Sequence, residues 1–379
     1  MPALGDQLDF ADAVDYHYDR FPPTDIDYAK LARPLSSASA ALARYDQMLR
    51  AMHNSEVLLA PLRRQEAVVS SRMEGTVSTL DEVLRYEADQ EAGAGHADIR
   101  SRTETIEVFL YHAAMRHAQE AMHNGAPISD WLIRSAHEIL LDFGRGADMS
   151  PGAYKTEQNY LVDRNQWKVR FVPIGPERLA EGMGKLHAFI ADDTWAPLVK
   201  TALAHVEFEA LHPFKDGNGR IGRMLITLML WQMGLISAPH FYISGYLEDH
   251  RDDYIGMMRE VSRSGAWTDW CIFFLRALEA QSEKNLQIGE DIRDLYDRMK
   301  DLFRDVLASQ WHAAALDFIF AHPVFRNSRF TGHSGIPRPT AARFTRALVK
   351  RDLLTTVEPA SGRRAALYAF EPLLKIVRG

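Results

Sequence analysis

The stretch of sequence that decides the fold is His212-Pro213-Phe214-Lys215-Asp216-Gly217-Asn218-Gly219-Arg220-Ile221-Gly222-Arg223. Apolar residues at three- and four-residue spacing lead up to it from Pro197 to Leu211 and follow it from Ile221 to Gly234, which predicts a helix on each side. Gly217 and Gly219 permit positive φ and let a ligand approach the backbone closely. Because the first N–H groups of a helix have no partner within it and the helix dipole is positive there, this junction is predicted to bind phosphate.

The side chains of the junction are those that phosphoryl or nucleotidyl transfer needs. His212 carries an imidazole that titrates near neutrality and can accept a hydroxyl proton. Asp216 offers the hard oxygen ligand that Mg²⁺ prefers. Arg220 and Arg223 lie three residues apart on the first helical turn and can fork onto phosphate oxygens. Base, metal ligand and charge neutralisers together predict transfer of a phosphate-containing group.

A dinucleotide-binding fingerprint is the first alternative, since Gly217 to Gly222 also matches G-x-G-x-x-G. That fingerprint has meaning only after a strand in a βαβ unit, with an acidic residue about 20 positions further on. Here the residues before and after it are both helical in pattern. A Walker A loop is excluded as well, because the Gly-Lys-Ser/Thr ending is absent.

The twelve residues resemble the signature of the Fic family, HPFx(D/E)GNGRxxR, and fill every specified position. The resemblance implies an enzyme that transfers AMP from MgATP to a Ser, Thr or Tyr hydroxyl of a target protein or of itself. It implies that His212 is the base and that Asp216 holds Mg²⁺. It assigns to the nucleotide Asp216, Gly217, Asn218, Gly219, Arg220, Ile221, Gly222 and Arg223. The alternatives within the family are transfer of another phosphate-containing group and removal of AMP.

A β-hairpin is predicted at residues 158–173, where β-forming residues alternate around Asp163-Arg164-Asn165. With the preceding Pro151–Lys155, this segment resembles the Fic flap, although Lys155 stands where the family usually has arginine. A flap of this kind pairs with the main chain of the target protein by strand addition and places the hydroxyl over the base. The alternative is a surface hairpin without such a role.

Downstream, residues 242–244 and 250–254 resemble the next helix of the family, whose aromatic side chain contributes to the adenine pocket. The family often has two adjacent tyrosines there, whereas this chain has Tyr254-Ile255. Tyr254 is therefore either a nucleotide contact or an ordinary core tyrosine.

An internal brake is suggested by Ser70-Ser71-Arg72-Met73-Glu74-Gly75, which fits (S/T)xxxE(G/N), the inhibitory helix motif of Fic proteins. The motif would arise by chance in roughly one of three chains of this length, but here it lies on a predicted helix upstream of the core. Ser70 and Glu74 are one helical turn apart and share a face. The resemblance implies that Glu74 pairs with Arg223 and misaligns the phosphates. The alternative is a solvated carboxylate on a helix.

The rest of the chain is mostly helical in pattern. Helical spacing is found at 29–56, 61–75, 100–123, 128–142, 176–193, 196–211, 220–234, 248–262, 266–302 and 303–321, and Thr79–Glu82 resembles a capping box. The predicted fold class is mainly α. It comprises an N-terminal helical regulatory region (1–98), a Fic-fold helical core with the β-hairpin flap (99–300) and a C-terminal winged helix (301–379).

The C-terminal region is basic: residues 322–379 hold 11 lysines and arginines against three acidic residues, in a chain of formal net charge −7. A helix-like run (Pro339–Arg351) precedes two strand-like runs around a glycine-containing turn, the outline of a winged helix. Such a module would bind DNA or, as often, a protein. The candidate DNA contacts are Arg338, Arg343, Arg346, Lys350, Arg351, Arg363 and Arg364. The rival function is thus a DNA-binding regulator with Fic-type self-modification.

Composition excludes several classes of protein. With 46% hydrophobic and 25% charged residues in 379, intrinsic disorder is excluded, and the net charge speaks against a chain that coats nucleic acid. A single cysteine, Cys271, excludes a disulfide framework and a CxxC zinc site. The acidic first segment is unlike a signal peptide, and the apolar run 224–236 is too short to span a bilayer. We expect a cytoplasmic protein without a membrane partner, and the family resemblance implies a homodimer.

Overall fold

The computed structural model describes residues 8–91, 103–163 and 166–378. The elements, in chain order, are β1 (Val14–Asp15), α1 (Tyr28–Ala51), α2 (Ser55–Leu58), α3 (Ala60–Met73), α4 (Leu80–Glu91), α5 (Thr103–His123), α6 (Asp130–Leu140), β2 (Leu161–Asp163), β3 (Lys168–Val172), α7 (Pro176–Ala191), α8 (Pro197–Leu211), α9 (Asn218–Gln232), α10 (Ser244–Asp249), α11 (Arg251–Ser264), α12 (Trp267–Leu307), α13 (His312–Ala321), β4 (Val324–Arg326), α14 (Asn327–His333), α15 (Arg338–Lys350), β5 (Thr355–Glu358), β6 (Leu367–Ala369) and α16 (Glu371–Arg378). The predicted mainly α fold class is confirmed. Within the described ranges, no helix is both long and apolar enough to cross a bilayer.

The chain divides into two compact units. Unit 1 holds Met1–Ala43 and Ala113–Ser282, and unit 2 holds Arg44–His112 and Glu283–Gly379. Of the predicted domain boundaries, the one after residue 98 lies outside the described residues and the one after residue 300 falls inside α12. The division into three domains stays a prediction.

Unit 1 is built around α8 and α9, which carry the junction between them. Every residue of α9 from Asn218 to Leu230 is buried, and α8 is buried along almost all of its length. Helices that are buried on all sides lie in the core of a unit. The indole N–H of Trp270 on α12 donates to the Ala202 carbonyl of α8 (2.8 Å), and Gly182 of α7 leaves the space that Leu211 fills. The loop between α8 and α9 is therefore fixed at both ends.

A three-stranded sheet in the order β1-β3-β2 forms the flap region of unit 1. The predicted hairpin is confirmed, with β2 antiparallel to β3, while Arg164 and Asn165 of the predicted turn lie outside the described residues. The parallel pairing of β1 with β3 was not predicted, because a two-residue strand shows no periodicity. Beyond β1, Tyr16 and His17 contact the carboxylate of Glu207 on α8 at 2.6 and 2.7 Å.

Two predicted helix ends are wrong. The predicted helix over 29–56 ends at Ala51, because the side chain of Asn54 accepts a hydrogen bond from Val57 N–H (3.2 Å) and caps a separate short helix, α2. The break predicted between 302 and 303 lies instead at Ala308, which adopts φ 43°. Helix α12 continues to Leu307 because Phe303 and Leu307, four residues apart, are both buried.

The capping box at the start of α4 is confirmed. The Thr79 N–H donates to Glu82 Oε2 (2.9 Å), and the Glu82 N–H donates to Thr79 Oγ1 (3.3 Å). The two side chains thus satisfy each other's backbone donors at the helix N-terminus.

The C-terminal part of unit 2 runs helix, strand, two helices and hairpin, followed by α16. Its sheet has the order β4-β6-β5 with antiparallel pairs, so the two predicted strand-like runs are present. The predicted helix at 339–351 is present as α15. Phe325, Phe330, Phe344 and Leu348 are buried and form its core. Its assignment to the winged-helix class stays a prediction.

A buried ion-pair network lies within unit 2. Arg326 on β4 is buried and pairs with Asp89 of α4 (2.7 Å) and Glu358 of β5 (2.6 Å). Arg364 also contacts Asp89 (2.8 Å), and Arg85 pairs with Glu358. The network therefore connects α4 to both outer strands of the sheet.

Replacing Arg326 with alanine is expected to lower the free energy of unfolding of unit 2 by about 3–5 kcal/mol, because Asp89 would stay buried with less compensation. The matched control is Arg304→Ala, which removes an exposed ion pair on α12 and is expected to cost at most about 1 kcal/mol. Urea denaturation followed by circular dichroism measures both. Equal effects of the two substitutions would contradict the prediction.

Candidate functional site

The predicted helix–loop–helix junction is confirmed, and its backbone is left-handed at two points. Helix α8 ends at Leu211, and His212 takes φ 45°, ψ 60° with its N–H bonded to the Phe208 carbonyl (3.0 Å). Gly217 takes φ 80° and is followed directly by α9. A side chain at residue 217 would also meet Leu140. Glycine is needed there, whereas His212 adopts a conformation that is uncommon for a residue with a side chain.

Two contacts set the shape of the loop. The Asn218 amide bonds to Phe214 twice, accepting from its N–H and donating to its carbonyl, each at 2.8 Å. His137 of α6 stacks on the Phe214 ring (3.6 Å between centroids) and donates from Nε2 to the Asp216 carbonyl (2.9 Å). Its Nδ1 accepts from Gly152 N–H. Burial, with Arg220 nearby, lowers the pKa of His137 to about 4, so the ring is neutral at pH 7.

Positive charge is concentrated at the start of α9. Arg220 and Arg223 are both buried on its first two turns, where the helix dipole is also positive. The carboxylate of Asp216, 27% exposed, lies 3.6 Å from Arg220 and 3.9 Å from Arg145 and accepts from the Gly217 N–H (2.8 Å). The structure thus brings the predicted arginines and the predicted acid together at one helix N-terminus, a site suited to an anion.

His212 is half-buried and its tautomer is set by a backbone contact. Its Nδ1–H donates to the Glu209 carbonyl (3.3 Å). That hydrogen bond assigns the lone pair of the neutral ring to Nε2. Nε2 is therefore the atom that can accept a proton.

Residues 155–159, before the hairpin, bind the backbone of the junction. The Lys155 N–H donates to the Pro213 carbonyl (2.8 Å) and its Nζ to the Leu211 carbonyl (3.1 Å). Asn159 Nδ2 donates to the carbonyls of His212 (3.2 Å) and Phe214 (3.1 Å). The sequence predicted both residues in the segment that resembles the flap but predicted no contact with the junction for either, although the departure from the family's arginine at position 155 was a signal.

Tyr254 is buried and is connected to the junction through His205. Its hydroxyl donates to Nε2 of His205 (2.8 Å), and His205 Nδ1 donates to the Gly222 carbonyl (3.1 Å). Burial, with the charge of Arg223, lowers the pKa of His205 to about 3. Tyr254 therefore supports the motif helix through His205, and its contact with the nucleotide stays a prediction.

The candidate inhibitory residues lie at the end of α3 in unit 2. Ser70 is fully buried on the helix, and Glu74 is the half-buried C-cap residue. Gly75 follows with φ 86°, and the Thr76 N–H bonds to the Ser71 carbonyl (3.1 Å). Glu74 thus ends the helix where the chain turns, a place where glycine is well tolerated. Its pairing with Arg223, a residue of unit 1, stays a prediction.

Curated proteins similar to this chain carry transferase names. Protein adenylyltransferase fic-1 of Caenorhabditis elegans is 30% identical over 142 residues, which cover 36% of this chain and 26% of that protein. Uridine 5'-monophosphate transferase of Xanthomonas campestris is 32% identical over 126 residues, which cover 30% of this chain and 23% of that protein. The alignments thus span about a quarter of these relatives.

Solved structures share the fold at greater coverage. A Fic family protein from Desulfovibrio desulfuricans superposes with a TM-score of 0.56 over 92% of this chain and 98% of its own, at 20% identity. Fic-1 from C. elegans superposes with a TM-score of 0.52 over 71% of this chain and 74% of its own, at 22% identity.

Two sequence-family models match the chain. The Fic/DOC family N-terminal model covers residues 32–120. The Fic/DOC family model covers residues 127–230 and includes the whole junction from His212 to Arg223. The models together cover half of the sequence, and the solved Fic structures share its fold: the chain belongs to the Fic/DOC family.

Proposed function

We propose that the chain is a protein adenylyltransferase that moves AMP from MgATP to a hydroxyl side chain of a target protein or of itself. The observation that carries the proposal is the junction. A histidine with its proton-accepting nitrogen assigned to Nε2 is joined by one short loop to a helix N-terminus with two buried arginines. The name of the C. elegans relative supports AMP as the transferred group.

In the proposed reaction, Nε2 of His212 takes the proton of the target hydroxyl. The hydroxyl oxygen bonds to the α-phosphorus, the bond from that phosphorus to the bridging oxygen breaks, and pyrophosphate leaves. Backbone N–H groups from Gly217 to Gly219 and the guanidinium groups of Arg220 and Arg223 would hold the phosphates. They stabilise the charge that develops in the transition state.

Asp216 is the proposed ligand for Mg²⁺. Mg²⁺ in nucleotide sites is bound by one or two carboxylates, with phosphates and water completing its shell. No cluster of three or more metal-ligating side chains occurs in the parts of the chain described above. The partly exposed Asp216 carboxylate at the helix N-terminus would therefore supply one ligand, and the phosphates of the nucleotide and water the others. Mg²⁺ would neutralise phosphate charge there.

The target main chain is proposed to add to the flap at residues 158–173. Strand β3 is bonded on both sides, by β1 and β2, so addition requires an outer strand. The outer edge of β2 is favoured, because Asn159, two residues before it, bonds to the carbonyl of His212. A hydroxyl on a segment paired there would lie near the proposed base.

Labelled donors test the proposed function. The protein and its Glu74→Gly variant are incubated with α-labelled ATP or UTP in cell extract, and the labelled bands are identified by mass spectrometry. UTP is included because one relative is named a uridine 5'-monophosphate transferase. Transfer from ATP supports the proposal, whereas transfer from UTP alone would replace AMP by UMP. The homodimer, the cytoplasmic location and the identity of the target stay predictions.

A second candidate function, DNA binding by the C-terminal region, is favoured by one face of α15. Arg343, Arg346 and Lys350 are exposed along it at helical spacing, and α15 contains no acidic residue. Arg363 is exposed near the hairpin turn, whereas Arg364 is paired with Asp89. Arginines on one helix face can contact successive phosphates.

The double substitution Arg343→Glu/Arg346→Glu is expected to weaken retention on non-specific DNA and to lower the salt dependence of binding by about two phosphate contacts. Arg298→Glu/Arg304→Glu on α12 is the matched control, since both of its arginines are exposed. Electrophoretic mobility shift at several salt concentrations measures the change. Equal retention of the two variants would assign the basic face to another partner.

A further inference from the structure

We propose that Lys155 and Asn159 are positioning residues that hold the backbone of His212 in its left-handed conformation. This inference rests on the proposed role of His212 as the base. The two residues precede strand β2 of the flap, and neither belongs to the HPFx(D/E)GNGRxxR motif.

Four consecutive carbonyl groups of the junction accept hydrogen bonds from this one segment. Lys155 donates to residues 211 and 213 from its Nζ and its backbone N–H, and Asn159 donates to residues 212 and 214 from its Nδ2. All four distances lie between 2.8 and 3.2 Å. The donors alternate along the loop, so the peptide groups on both sides of His212 are fixed.

The left-handed backbone conformation of His212 is unfavourable in free energy by itself. A left-handed backbone costs a residue with a side chain about 1–2 kcal/mol, and it persists only where the surroundings determine it. At His212 this backbone directs the imidazole. Misplacing a reacting group by about 1 Å can cost about a hundredfold in rate. Loss of a hydrogen-bond donor at Lys155 or Asn159 is therefore expected to lower the rate of transfer although His212 itself is unchanged.

Lys155 also fixes the orientation of the Asn159 amide. Its Nζ donates to Asn159 Oδ1 (2.8 Å), which leaves Nδ2 facing the carbonyls of His212 and Phe214. Lys155 is 3% exposed, and burial lowers its pKa to about 7. The Leu211 carbonyl and the Asn159 amide oxygen accept hydrogen bonds from Nζ, which offsets part of the cost of burying it. Lys155, the Asn159 amide and the loop after α8 are thus joined by one set of hydrogen bonds.

Substitutions of nearly equal size test the proposal. Asn159→Asp keeps the acceptor for Lys155 but lacks the Nδ2 donors, and Lys155→Met lacks the ammonium group. Each is expected to lower kcat for AMP transfer by about 10- to 100-fold, with KM for ATP changed by less than about twofold. Lys155→Arg, which keeps donors and restores the family's usual residue, is expected to recover most of the activity.

Asn124→Asp is the matched control. It makes the same chemical change at an exposed asparagine directly after α5, so kcat is expected to stay within about twofold. Melting temperatures of all variants show whether a loss of activity follows a loss of folding. A wild-type kcat in Asn159→Asp would overturn the proposal, as would equal losses in Asn159→Asp and Asn124→Asp.

A second readout does not depend on the transfer reaction. The ¹⁵N shifts of the His212 ring report its tautomer, which is set by the Nδ1–H bond to the Glu209 carbonyl. Asn159→Asp is expected to shift these signals, and Asn124→Asp is not. Unchanged His212 signals in Asn159→Asp would overturn the positioning role. If instead the wild type transfers no nucleotide while the shift occurs, the proposed function fails and the positioning role stands.

Discussion

Replacement of His212 by alanine is expected to lower AMP transfer by about 10²–10⁴-fold, the usual contribution of a general base. The imidazole Nε2 of His212, the C-cap residue of α8, is the proposed proton acceptor, and alanine offers no substitute. Nucleotide affinity is expected to change by less than about threefold, because the proposed phosphate contacts come from α9. Transfer is measured with labelled ATP, and affinity with a fluorescent ATP analogue.

The control for this substitution is His123→Ala, which removes an exposed histidine at the end of α5 and is expected to leave transfer unchanged. Full activity of His212→Ala would show that another group accepts the hydroxyl proton. A matching loss of nucleotide affinity would indicate instead that the substitution distorts the loop. The two measurements thus separate proton transfer from binding.

The junction was predictable because its chemistry and its helical spacing lie in adjacent residues. The capping box at Thr79–Glu82 and the hairpin at 158–173 follow from short-range patterns for the same reason. His137, by contrast, reaches the Asp216 carbonyl across 79 positions of sequence, and it sits on an apolar helix face where a histidine is usually an ordinary core residue. Contacts of this kind depend on the packing of helices, which no local pattern reports.

Charge patterns were less informative than motif patterns. Arg364, a candidate DNA contact, is exposed near the hairpin turn but also pairs with Asp89, 275 positions earlier in the chain. Arg326 counts toward the basic C-terminal charge but is buried in the same network. A count of charged residues cannot separate those that pair within the fold from those that face solvent. The candidate DNA contacts are therefore better defined by the exposed face of α15.

Substitution of Glu74 by glycine is expected to raise AMP transfer by about 10²–10³-fold, which corresponds to about 3–4 kcal/mol of barrier. In the proposed brake, the Glu74 carboxylate pairs with Arg223 and thereby withdraws the guanidinium group from the phosphates. Removing the carboxylate would return Arg223 to the nucleotide. Glu74 is the C-cap of α3 and precedes Gly75, so the substitution should leave the helix intact.

Charge and shape are separated by Glu74→Gln, which keeps the size of the side chain and removes its charge. It is expected to raise transfer as well, whereas Glu283→Gln, the same change at an exposed residue of α12, is expected to have no effect. Rates are measured as incorporation of labelled AMP. Wild-type rates in both Glu74 variants would contradict the brake.

The double variant Glu74→Gly/His212→Ala is expected to be inactive, because releasing Arg223 aligns the phosphates but supplies no base. Activity in that variant would separate the brake from the chemistry assigned to His212.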